Sequence, residues 1–592
     1  MLRTKIVCTI GPASRESDTL LELMNAGMDV ARLNFSHGDH ATHAENIRNI
    51  RQSADALGKP VAILADLQGP KLRVGIMQEG GVPIAKGETI VLTTEHIIGG
   101  PGRVPLQFER LPQVVQPGDR IMIDDGLLEL QVVSTSDTEV VAQVVTGGVV
   151  HSNKGLNLPR ADLSIPAITE KDRDDLRFAI EQGADWVALS FVRAADEVLD
   201  LKAYVRESSA YGHQTPVIAK IEKPEAISNI EAIIRAADGI MVARGDLGIE
   251  ISPEAVPMLQ KMIIMKCNDH GKPVITATQM LESMERNPRP TRAEASDVAN
   301  AILDGSDAIM LSAETAAGKY PVESVQTMVR IGIAVERTQA ARTVHQLPAK
   351  SGRTFAQAVA HASVETAIDL SAAAIVTPTM SGQTARTVSS FRPPCPVIAV
   401  TPSPFTQREL VLYWGVYPLL SRRMGDTDAI INDAVDVAQR AGYVGEGDVV
   451  VVTGSSPATG GGVTNLMKVH LIEQVLAKGT GVGERRVLGR LRGLESPVAP
   501  ETRIEPDEIV YTSSTDRTFL PVLARARGLI TGEGGPGTHC RLVALELGLP
   551  AVVGVGDEGL KNLRDGAEVV LDPQRGLVFE RPPALWQTSV EA

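Results

Sequence analysis

The sequence lacks an excess of basic residues, any pattern of paired cysteines and any long apolar run, and each absence argues against a class of protein. Its 592 residues carry a formal net charge of −14, which argues against a broad basic surface for nucleic acid or anionic lipid. The four cysteines (Cys8, Cys267, Cys395, Cys540) show no CxxC spacing, so they predict neither a disulfide framework nor a zinc site. No apolar run reaches the roughly 18 residues of a membrane span, and a Gly-Pro pair interrupts the first apolar residues too early for a signal peptide. We therefore expect a soluble, cytoplasmic protein with no nucleic-acid or membrane partner.

Short apolar runs alternate with helical segments through most of the first 320 residues, and this alternation predicts a parallel sheet. The runs are KIVCTI (5–10), MDVARL (28–33), VAILAD (61–66), DWVALS (185–190), VIAKIE (217–222), GIMVA (239–243), VITAT (274–278) and AIMLS (308–312). Eight such strands are the number that closes a (β/α)8 TIM barrel, whose active site is built at the carboxyl ends of the strands.

At this length we expect about four domains. The barrel is assigned to residues 1–69 and 162–345, and the Gly/Pro-punctuated β-type segments of residues 70–161 predict an inserted all-β module, a small β-barrel placed to act as a lid. The α/β alternation resumes in residues 346–478, which predicts a doubly wound domain. Residues 479–592 are assigned to a linker and an extra small α/β domain of the swivelling type.

Charged residues follow two neighbouring strands of the predicted barrel. Lys220 and Glu222 in KIE are two apart on a strand, so both side chains point to one face. In ARGDLG, Gly245 lets the backbone approach a ligand and Asp246 adds a second carboxylate. Two carboxylates are what Mg²⁺ usually receives from a protein, and a lysine beside them suits a transferring phosphoryl group. The alternative is a structural ion pair across the barrel.

A set of motifs in order from Arg3 to about Lys478 is similar to the pyruvate kinase family. The motifs are RLNFSHG, DLQGPKLR, NKGLNLP, ITEKD, KIEKPEAISNIEAI, ARGDLG, ATQMLESM and NPRPTRAEASDVANAILDGSDAIMLSAETAAGKYP. The resemblance implies transfer of the phosphoryl group of phosphoenolpyruvate to ADP in glycolysis, giving ATP and an enolpyruvate that is protonated to pyruvate. It also implies Mg²⁺ (or Mn²⁺) as cofactor and a homotetramer.

The resemblance implies a role for each matching residue. Arg32 would bind the phosphoryl group, Lys220 would stabilise its transition state, and Glu222 with Asp246 would hold Mg²⁺. Thr278 would contact the substrate carboxylate and lie near the path of the proton.

Further roles follow from the same matches. The backbone at Gly245 would contact the substrate, and Asp246 would border it. Arg73 and Lys154 would reach the nucleotide phosphates, while Ser312 and Glu314 of SAET would lie close behind the site.

One position departs from the K⁺-dependent members of the family. The family's K⁺ position matches Asn34, Ser36, Asp66 and the backbone of Leu67, but Lys71 stands where those members have glutamate. We infer that the Lys71 ammonium supplies the charge of K⁺ and that K⁺ is not required. A unit charge about 4 Å from an oxygen is worth on the order of 4 kcal/mol at an effective dielectric near 20. The alternatives are a solvated lysine on the hinge of the lid and a vestigial ion site.

Two Gly/Ser/Thr-rich segments, TMSGQTARTVSSFRP and TGSSPATGGGVTN, resemble the family's effector domain. In the first, Thr379, Ser381, Gly382 and Thr384 would lie between a strand and the start of a helix, where exposed N–H groups bind phosphate. We expect activation by a sugar phosphate or nucleoside monophosphate. The alternative is that Ser381 caps the helix and binds no ligand.

The segment EGGPGTHCRLVALELGLPAVVG resembles the phosphohistidine domain of phosphoenolpyruvate synthase and pyruvate phosphate dikinase. His539 matches the position of the phosphorylated histidine, yet no segment resembles the ATP-grasp domain that phosphorylates it. We expect a structural or regulatory role for His539. The alternatives to a pyruvate kinase are a phosphoenolpyruvate synthase-like phosphotransferase that acts through His539 and a catalytically inactive metabolite sensor.

Overall fold

The computed structural model describes residues 1–124, 126–159, 166–209, 214–338, 354–421, 426–455, 463–472 and 474–580. The chain divides into two compact units. The first comprises Met1–Leu370, Ala374–Arg440 and Val451–Lys468, and the second Ser371–Ala373, Ala441–Val450 and Val469–Ala592. No helix within the described ranges is both long and apolar enough to cross a membrane.

Eight parallel strands in the described part of the first unit close into a barrel. They are Lys5–Thr9, Val30–Asn34, Ala62–Asp66, Trp186–Leu189, Val217–Ile221, Gly239–Ala243, Val274–Ala277 and Ala308–Leu311. Each strand pairs with its neighbours in the sequence, and the ring closes where Lys5 pairs with Ala308. All but the second are buried along their whole length, which is why they appear as continuous apolar runs. The predicted barrel is confirmed.

Helices alternate with the barrel strands. They are Ser17–Ala26, His40–Leu57, Glu170–Glu181, Ala195–Ser208, Pro224–Ser228, Ile230–Ala236, Arg244–Glu250, Val256–His270, Arg292–Leu303, Ala313–Ala316 and Pro321–Glu336, with a short 3-10 turn at Glu282–Glu285. Their starts follow local sequence signals. Thr169 and Thr291 each form a capping box with an acidic residue three positions later, which satisfies two free N–H groups of the first turn.

The predicted all-β insertion lies between the third barrel strand and helix Glu170–Glu181. Its strands are Val82–Ile84, Thr89–Thr93, Arg103–Pro105, Arg120–Ile123, Leu128–Thr135, Glu139–Thr146, Gly148–Val150 and Leu156–Asn157, beside one helical turn at Leu111–Val114. Six of them form one sheet, and the other two form a pair. Isolated bridges from Arg73 to Gly155 and from Val74 to Leu106 join the chain segments at the two edges of that sheet. The module therefore curls around its own apolar core.

A five-stranded sheet follows the barrel, as predicted. Its order is Val416–Leu420, Val397–Thr401, Ala374–Pro378, Val449–Gly454 and Leu466–Leu471. The helices are Phe355–Asp369, Gln383–Ser389, Pro404–Leu410 and Thr427–Arg440. The strand order reverses between Ala374–Pro378 and Val449–Gly454, and such a switch point is where open α/β sheets bind ligands.

The second unit contains an eight-stranded mixed sheet within the described residues. Its order is Val475–Lys478, Leu577–Glu580, Glu568–Asp572, Val487–Gly493, Glu508–Thr512, Gly528–Thr531, Ala551–Val553 and Thr480–Val482. The helices are Leu520–Leu523, His539–Leu547 and Gly556–Lys561, with a 3-10 turn at Arg517–Phe519. The extra small α/β domain is confirmed.

The domain boundaries stay a proposal. Those at residues 161 and 345 lie outside the described residues. The boundary at 478 falls at the end of a strand, Val475–Lys478, which pairs with Leu577–Glu580 in the sheet of the second unit.

Candidate active site

Four charged side chains of alternating sign meet at the carboxyl ends of the barrel strands. Asp66 Oδ2 lies 2.7 Å from Arg32 Nε, and Asp66 Oδ1 lies 3.2 Å from Lys220 Nζ. Glu222 Oε1 lies 3.0 Å from the same Lys220 ammonium. Asp66 and Glu222 are buried, so this is a desolvated chain of charges rather than a surface ion pair.

The neighbouring charges keep both Asp66 and Lys220 ionised. Burial opposes ionisation of Asp66, but Lys220 and Arg32 outweigh it and hold the pKa of the carboxyl below its usual range. Burial likewise opposes the charge of Lys220, but Asp66 and Glu222 raise the pKa of the ammonium well above its usual value. A lysine in this state is a permanent cation, which suits charge stabilisation and excludes a role as a proton carrier near neutral pH.

Ser190 and Phe191 follow the fourth barrel strand and hydrogen-bond to two of the four charged side chains, Lys220 and Glu222. Lys220 Nζ donates to Ser190 Oγ at 2.8 Å, and Ser190 Oγ donates to the carbonyl of Leu67 at 2.8 Å. The Phe191 N–H donates to Glu222 Oε2 at 2.7 Å. Ser190 positions Lys220 through its hydrogen bond, a role that the sequence interpretation missed although Ser190 ends the predicted run DWVALS.

Glu222 and Asp246 form a donor set of the kind that Mg²⁺ takes from proteins. Burial raises the pKa of the Glu222 carboxyl, Lys220 opposes that rise, and Asp246 adds to it. The two carboxylates therefore lie close enough for their charges to repel. No group of three or more His, Cys, Asp or Glu suited to a metal ion occurs among the described residues. A pair is sufficient for Mg²⁺, because water and substrate oxygens complete its octahedron.

A cleft of about 610 Å³ opens at this end of the barrel. The predicted residues among its lining are Lys71, Gly245, Asp246, Thr278, Ser312 and Glu314. The cleft thus brings the backbone at Gly245 and the hydroxyl of Thr278 together, and the Gly245 N–H donates to Thr278 Oγ1 at 2.8 Å.

Thr278 has an unusual backbone conformation. Its φ is +67° and that of Gln279 is +54°, a region that β-branched residues rarely adopt. Arg244 holds this bend, because its Nη2 donates to the carbonyls of Thr278 at 2.6 Å and Gln279 at 3.2 Å. Its Nη1 pairs with Asp297 at 2.7 Å. Arg244 also lines the cleft, and the sequence interpretation assigned it no role although it lies in ARGDLG.

Glu314 ties together the loops after the last two barrel strands. It accepts the Leu281 N–H at 3.0 Å and the Ser312 N–H at 2.7 Å. The Ser312 hydroxyl oxygen is buried and has no hydrogen-bond partner among the described residues. Both residues line the cleft.

Three of the four residues predicted to form a K⁺ position, namely Asn34, Asp66 and Leu67, already have protein partners for their oxygens. Asp66 is bridged by two cations, and the carbonyl of Leu67 accepts from Ser190. Asn34 Oδ1 accepts the N–H of Ser36 at 3.1 Å.

The predicted nucleotide residues, Arg73 and Lys154, do not line the cleft, but they lie together where the insertion joins the barrel. The Val74 N–H donates to the carbonyl of Lys154 at 2.9 Å. Lys154 Nζ pairs with Asp124 at 2.9 Å, and Arg73 Nη1 donates to the carbonyl of Asn153 at 3.1 Å.

His37 of RLNFSHG is a further residue beside these cations. Partial burial lowers the pKa of its imidazole, and the charges of Arg73, Lys71 and Arg32 lower it further. Three cations from two segments of the chain therefore act on this loop, and their combined field attracts phosphate oxygens. Sequence reasoning gave His37 no role, since Lys71 and Arg73 follow a different strand, Ala62–Asp66.

The predicted effector residues follow strand Ala374–Pro378. Gly382, at φ +78°, donates its N–H to Thr379 Oγ1 at 3.0 Å, and Ser381 is exposed. Thr384 is buried and shares a 2.8 Å hydrogen bond with the hydroxyl of Thr464. The alternative of a cap by Ser381 is wrong, because Gly382 is the N-cap residue and the helix has no side-chain cap. Most of the second predicted loop, residues 456–462, lies outside the described residues.

His539 is the first residue of helix His539–Leu547 in the second unit. Its Nδ1 lies 3.0 Å from Thr515 Oγ1. The neighbouring Cys540 is buried.

Comparison with known proteins agrees with this architecture. The pyruvate kinase barrel domain matches residues 1–325, the pyruvate kinase alpha/beta domain matches residues 357–470, and the mobile domain of PEP-utilising enzymes matches residues 504–576. A pyruvate kinase of Geobacillus stearothermophilus is 46% identical over 580 residues, with 98% of both chains covered. Pyruvate kinases of Staphylococcus epidermidis and Sporosarcina psychrophila are 45% and 43% identical, each covering 98% of this chain and 99% of their own. The predicted resemblance is confirmed, and the chain belongs to the pyruvate kinase family.

Proposed function

We propose that this enzyme transfers the phosphoryl group of phosphoenolpyruvate to ADP with Mg²⁺, without a requirement for K⁺, and under control of a phosphorylated effector. The observation that carries the proposal is the buried chain Arg32–Asp66–Lys220–Glu222 beside a cleft lined by Lys71. Phosphoryl transfer depends mostly on positioning and on neutralising charge. The ion pairs with Asp66 and Glu222 fix the positions of the cations Arg32 and Lys220.

Each residue has a distinct part in the proposed reaction. Arg32 binds the phosphoryl oxygens, and Lys220 neutralises the charge that builds up on the group in transit. Glu222 and Asp246 would hold Mg²⁺, which would supply further positive charge for phosphoryl transfer. Because Asp66 contacts both Arg32 and Lys220, it sets the spacing between the two cations.

The proton that completes pyruvate arrives from the side of Thr278. Its hydroxyl accepts from the Gly245 N–H at 2.8 Å and lies 2.6 Å from the carbonyl of Ala277, so its orientation is fixed. The substrate carboxylate takes the place beside Gly245 and Thr278 in the cleft. The proton reaches the methylene carbon of the enolpyruvate along the Thr278 side.

Binding of the nucleotide needs a rearrangement of the inserted module. Lys154 pairs with Asp124, an acid of the same module. A phosphate of ADP would compete with Asp124 for the Lys154 ammonium, while Arg73 at the join reaches the same phosphates. This exchange supports the proposed role of the module as a lid, since closing it would exclude water from the transfer.

Lys71 replaces K⁺ in this proposal. It lines the cleft with Gly245, Asp246 and Thr278, and its positive charge helps to lower the pKa of His37. A hinge lysine directed to solvent would not line the cleft, so the position favours the charge-replacement interpretation over that alternative. The ammonium supplies a fixed positive charge near the substrate oxygens.

Activity in a tetraalkylammonium buffer with Mg²⁺ tests the K⁺ part of the proposal. We expect near-full turnover of the unmodified enzyme without K⁺ or Na⁺. A Lys71→Glu variant is expected to be weak until K⁺ is added, because its carboxylate restores a cation ligand and removes the ammonium. A Lys71→Met variant, which has neither group, should be weak with and without K⁺. Strong K⁺ activation of the unmodified enzyme would refute the proposal.

Regulation and assembly are the finer parts of the proposal. The loop with Thr379, Ser381 and Gly382 follows a strand at the switch point of its sheet, which supports a phosphate-bearing effector such as a sugar phosphate or nucleoside monophosphate. The exposed Met258 and Met265, one face of helix Val256–His270, support burial between subunits of a homotetramer. We place the enzyme in glycolysis in the cytoplasm. A panel of such phosphates that leaves the half-saturation for phosphoenolpyruvate unchanged would refute the effector.

A further inference from the structure

Two arginines of the first unit each carry a buried N–H donor that no described residue accepts, although the Arg386 side chain as a whole is 24% exposed. Among the described residues, Arg392 Nη1 and Arg386 Nε have no partner. The Arg392 side chain is only 4% exposed, so solvent does not reach it. Buried N–H groups of charged side chains almost always have an acceptor, and therefore these two donors point to one that the described part of the protein does not provide.

The other atoms of both guanidinium groups are held in place. Arg392 Nη2 lies 3.1 Å from Asp307 Oδ1 and donates to Asn268 Oδ1 at 3.0 Å and to the carbonyl of Gly305 at 2.9 Å. Arg386 Nη2 pairs with Glu409. Neither side chain can turn to satisfy its free donor without losing an ion pair.

Both arginines line one small cavity at the base of the barrel. Its volume is about 10 Å³, and Lys272, Asp307 and Tyr413 also line it. Lys272 and Asp307 come directly before the strands Val274–Ala277 and Ala308–Leu311. The cavity therefore lies at the amino ends of the strands, opposite the catalytic end of the barrel.

Positive charge exceeds negative charge around this cavity. The cations are Arg386, Arg392 and Lys272, whereas the acids paired with them are Asp307 and Glu409. The nearby acids Asp185 and Asp238 already have their own cations, Asp185 with Arg51 and Arg408, and Asp238 with Lys202. Among the described residues, the cations around the cavity therefore outnumber the acids by one, with Asp238 shared between Lys202 and Lys272.

The volume of the cavity and its two N–H donors without an acceptor determine which ligand it can bind. A cavity of about 10 Å³ has room for one water molecule or one monatomic ion. A water molecule would accept the hydrogen bonds of the two arginine donors but would leave the excess positive charge unneutralised. An anion would accept the same hydrogen bonds and also neutralise that charge. We propose that this cavity is a halide site, in which a chloride-sized anion accepts from Arg386 Nε and Arg392 Nη1 and links the α/β domain to the base of the barrel.

Arg386→Lys is the informative variant, because lysine can keep the ion pair with Glu409 but has no Nε donor. The matched control is Arg120→Lys, whose side chain is half exposed on the inserted module and pairs with Glu129. In the unmodified full-length enzyme at constant ionic strength, replacing gluconate by chloride should raise the Tm with a saturable dependence on chloride. Arg120→Lys should respond in the same way, and Arg386→Lys should lose the saturable part.

Crystals of the full-length enzyme in sodium bromide locate the ion. An anomalous bromide peak between Arg386 and Arg392, absent in Arg386→Lys, supports the site. An ordered water without anomalous signal in the unmodified enzyme overturns it. Equal chloride responses of Arg386→Lys and Arg120→Lys overturn it as well, because the effect would then be a general salt effect. Catalysis in Arg386→Lys should stay near that of the unmodified enzyme, since the cavity is remote from the cleft.

Discussion

The Arg244 guanidinium donates to the carbonyl of Thr278 at 2.6 Å and thereby holds Thr278 at a positive φ. Lysine at position 244 can pair with Asp297 but cannot reach both carbonyls of the bend. We expect Arg244→Lys to lower kcat about tenfold or more, because small misplacement of a reacting group is costly, with a smaller change in KM for phosphoenolpyruvate. Steady-state kinetics with a parallel Tm measurement checks this. A Tm loss with unchanged kcat would show that Arg244 is structural only.

Lys220→Met removes the one cation shared by Asp66 and Glu222. We expect turnover to fall by a factor on the order of 10³, since one preorganised charge-stabilising donor typically contributes 10²–10³. Arg32 still pairs with Asp66, so the fold should persist, as circular dichroism would show. Lys261→Met, at a half-exposed lysine paired with Asp304, is the control and should keep full activity. Retained turnover in Lys220→Met would disprove the assigned role.

Glu409 is expected to make the stability of the enzyme depend on pH. Burial raises the pKa of its carboxyl from 4.5 to about 7, against the opposing charge of Arg386. Glu409 ionises at lower pH in the unfolded chain than in the folded one, so its contribution to stability is fully present below about pH 4.5 and is lost as the pH rises through about 7, by at most about 3 kcal/mol. Glu409→Gln should flatten the Tm between pH 4.5 and 7. Identical pH profiles for the two proteins would contradict this.

His539→Ala separates the family reaction from a phosphohistidine route. We expect the second unit to keep its sheet in this variant, because within the described residues the His539 side chain shares one hydrogen bond, with Thr515. We expect unchanged ADP-dependent turnover and no alkali-stable phosphohistidine after incubation of the unmodified enzyme with labelled phosphoenolpyruvate. Labelled His539 together with loss of turnover in the variant would establish the phosphotransferase alternative.

Sequence patterns were sufficient for the framework of this enzyme. Seven of the eight predicted runs contain a barrel strand, the second run overlaps the strand Val30–Asn34 in all but its last residue, and bounds such as GIMVA at 239–243 agree with the strand found. The reason is that parallel strands covered on both faces must be apolar throughout, which marks them in any sequence. The strand-end residues Lys220 and Glu222 could be predicted as neighbours for a similar reason, since side chains two apart on a strand share a face.

The sequence by itself thus determined the strands, the order of the domains and the residues at the strand ends. Only the tertiary structure decided which of those residues contact each other: Asp66 between Arg32 and Lys220, Ser190 under Lys220, and Arg244 on the bend at Thr278. It also decided that Arg386 and Arg392 meet Lys272 around one cavity. These contacts join segments far apart in the chain, and their geometry depends on closure of the ring and on side-chain packing, which no local pattern of residues encodes.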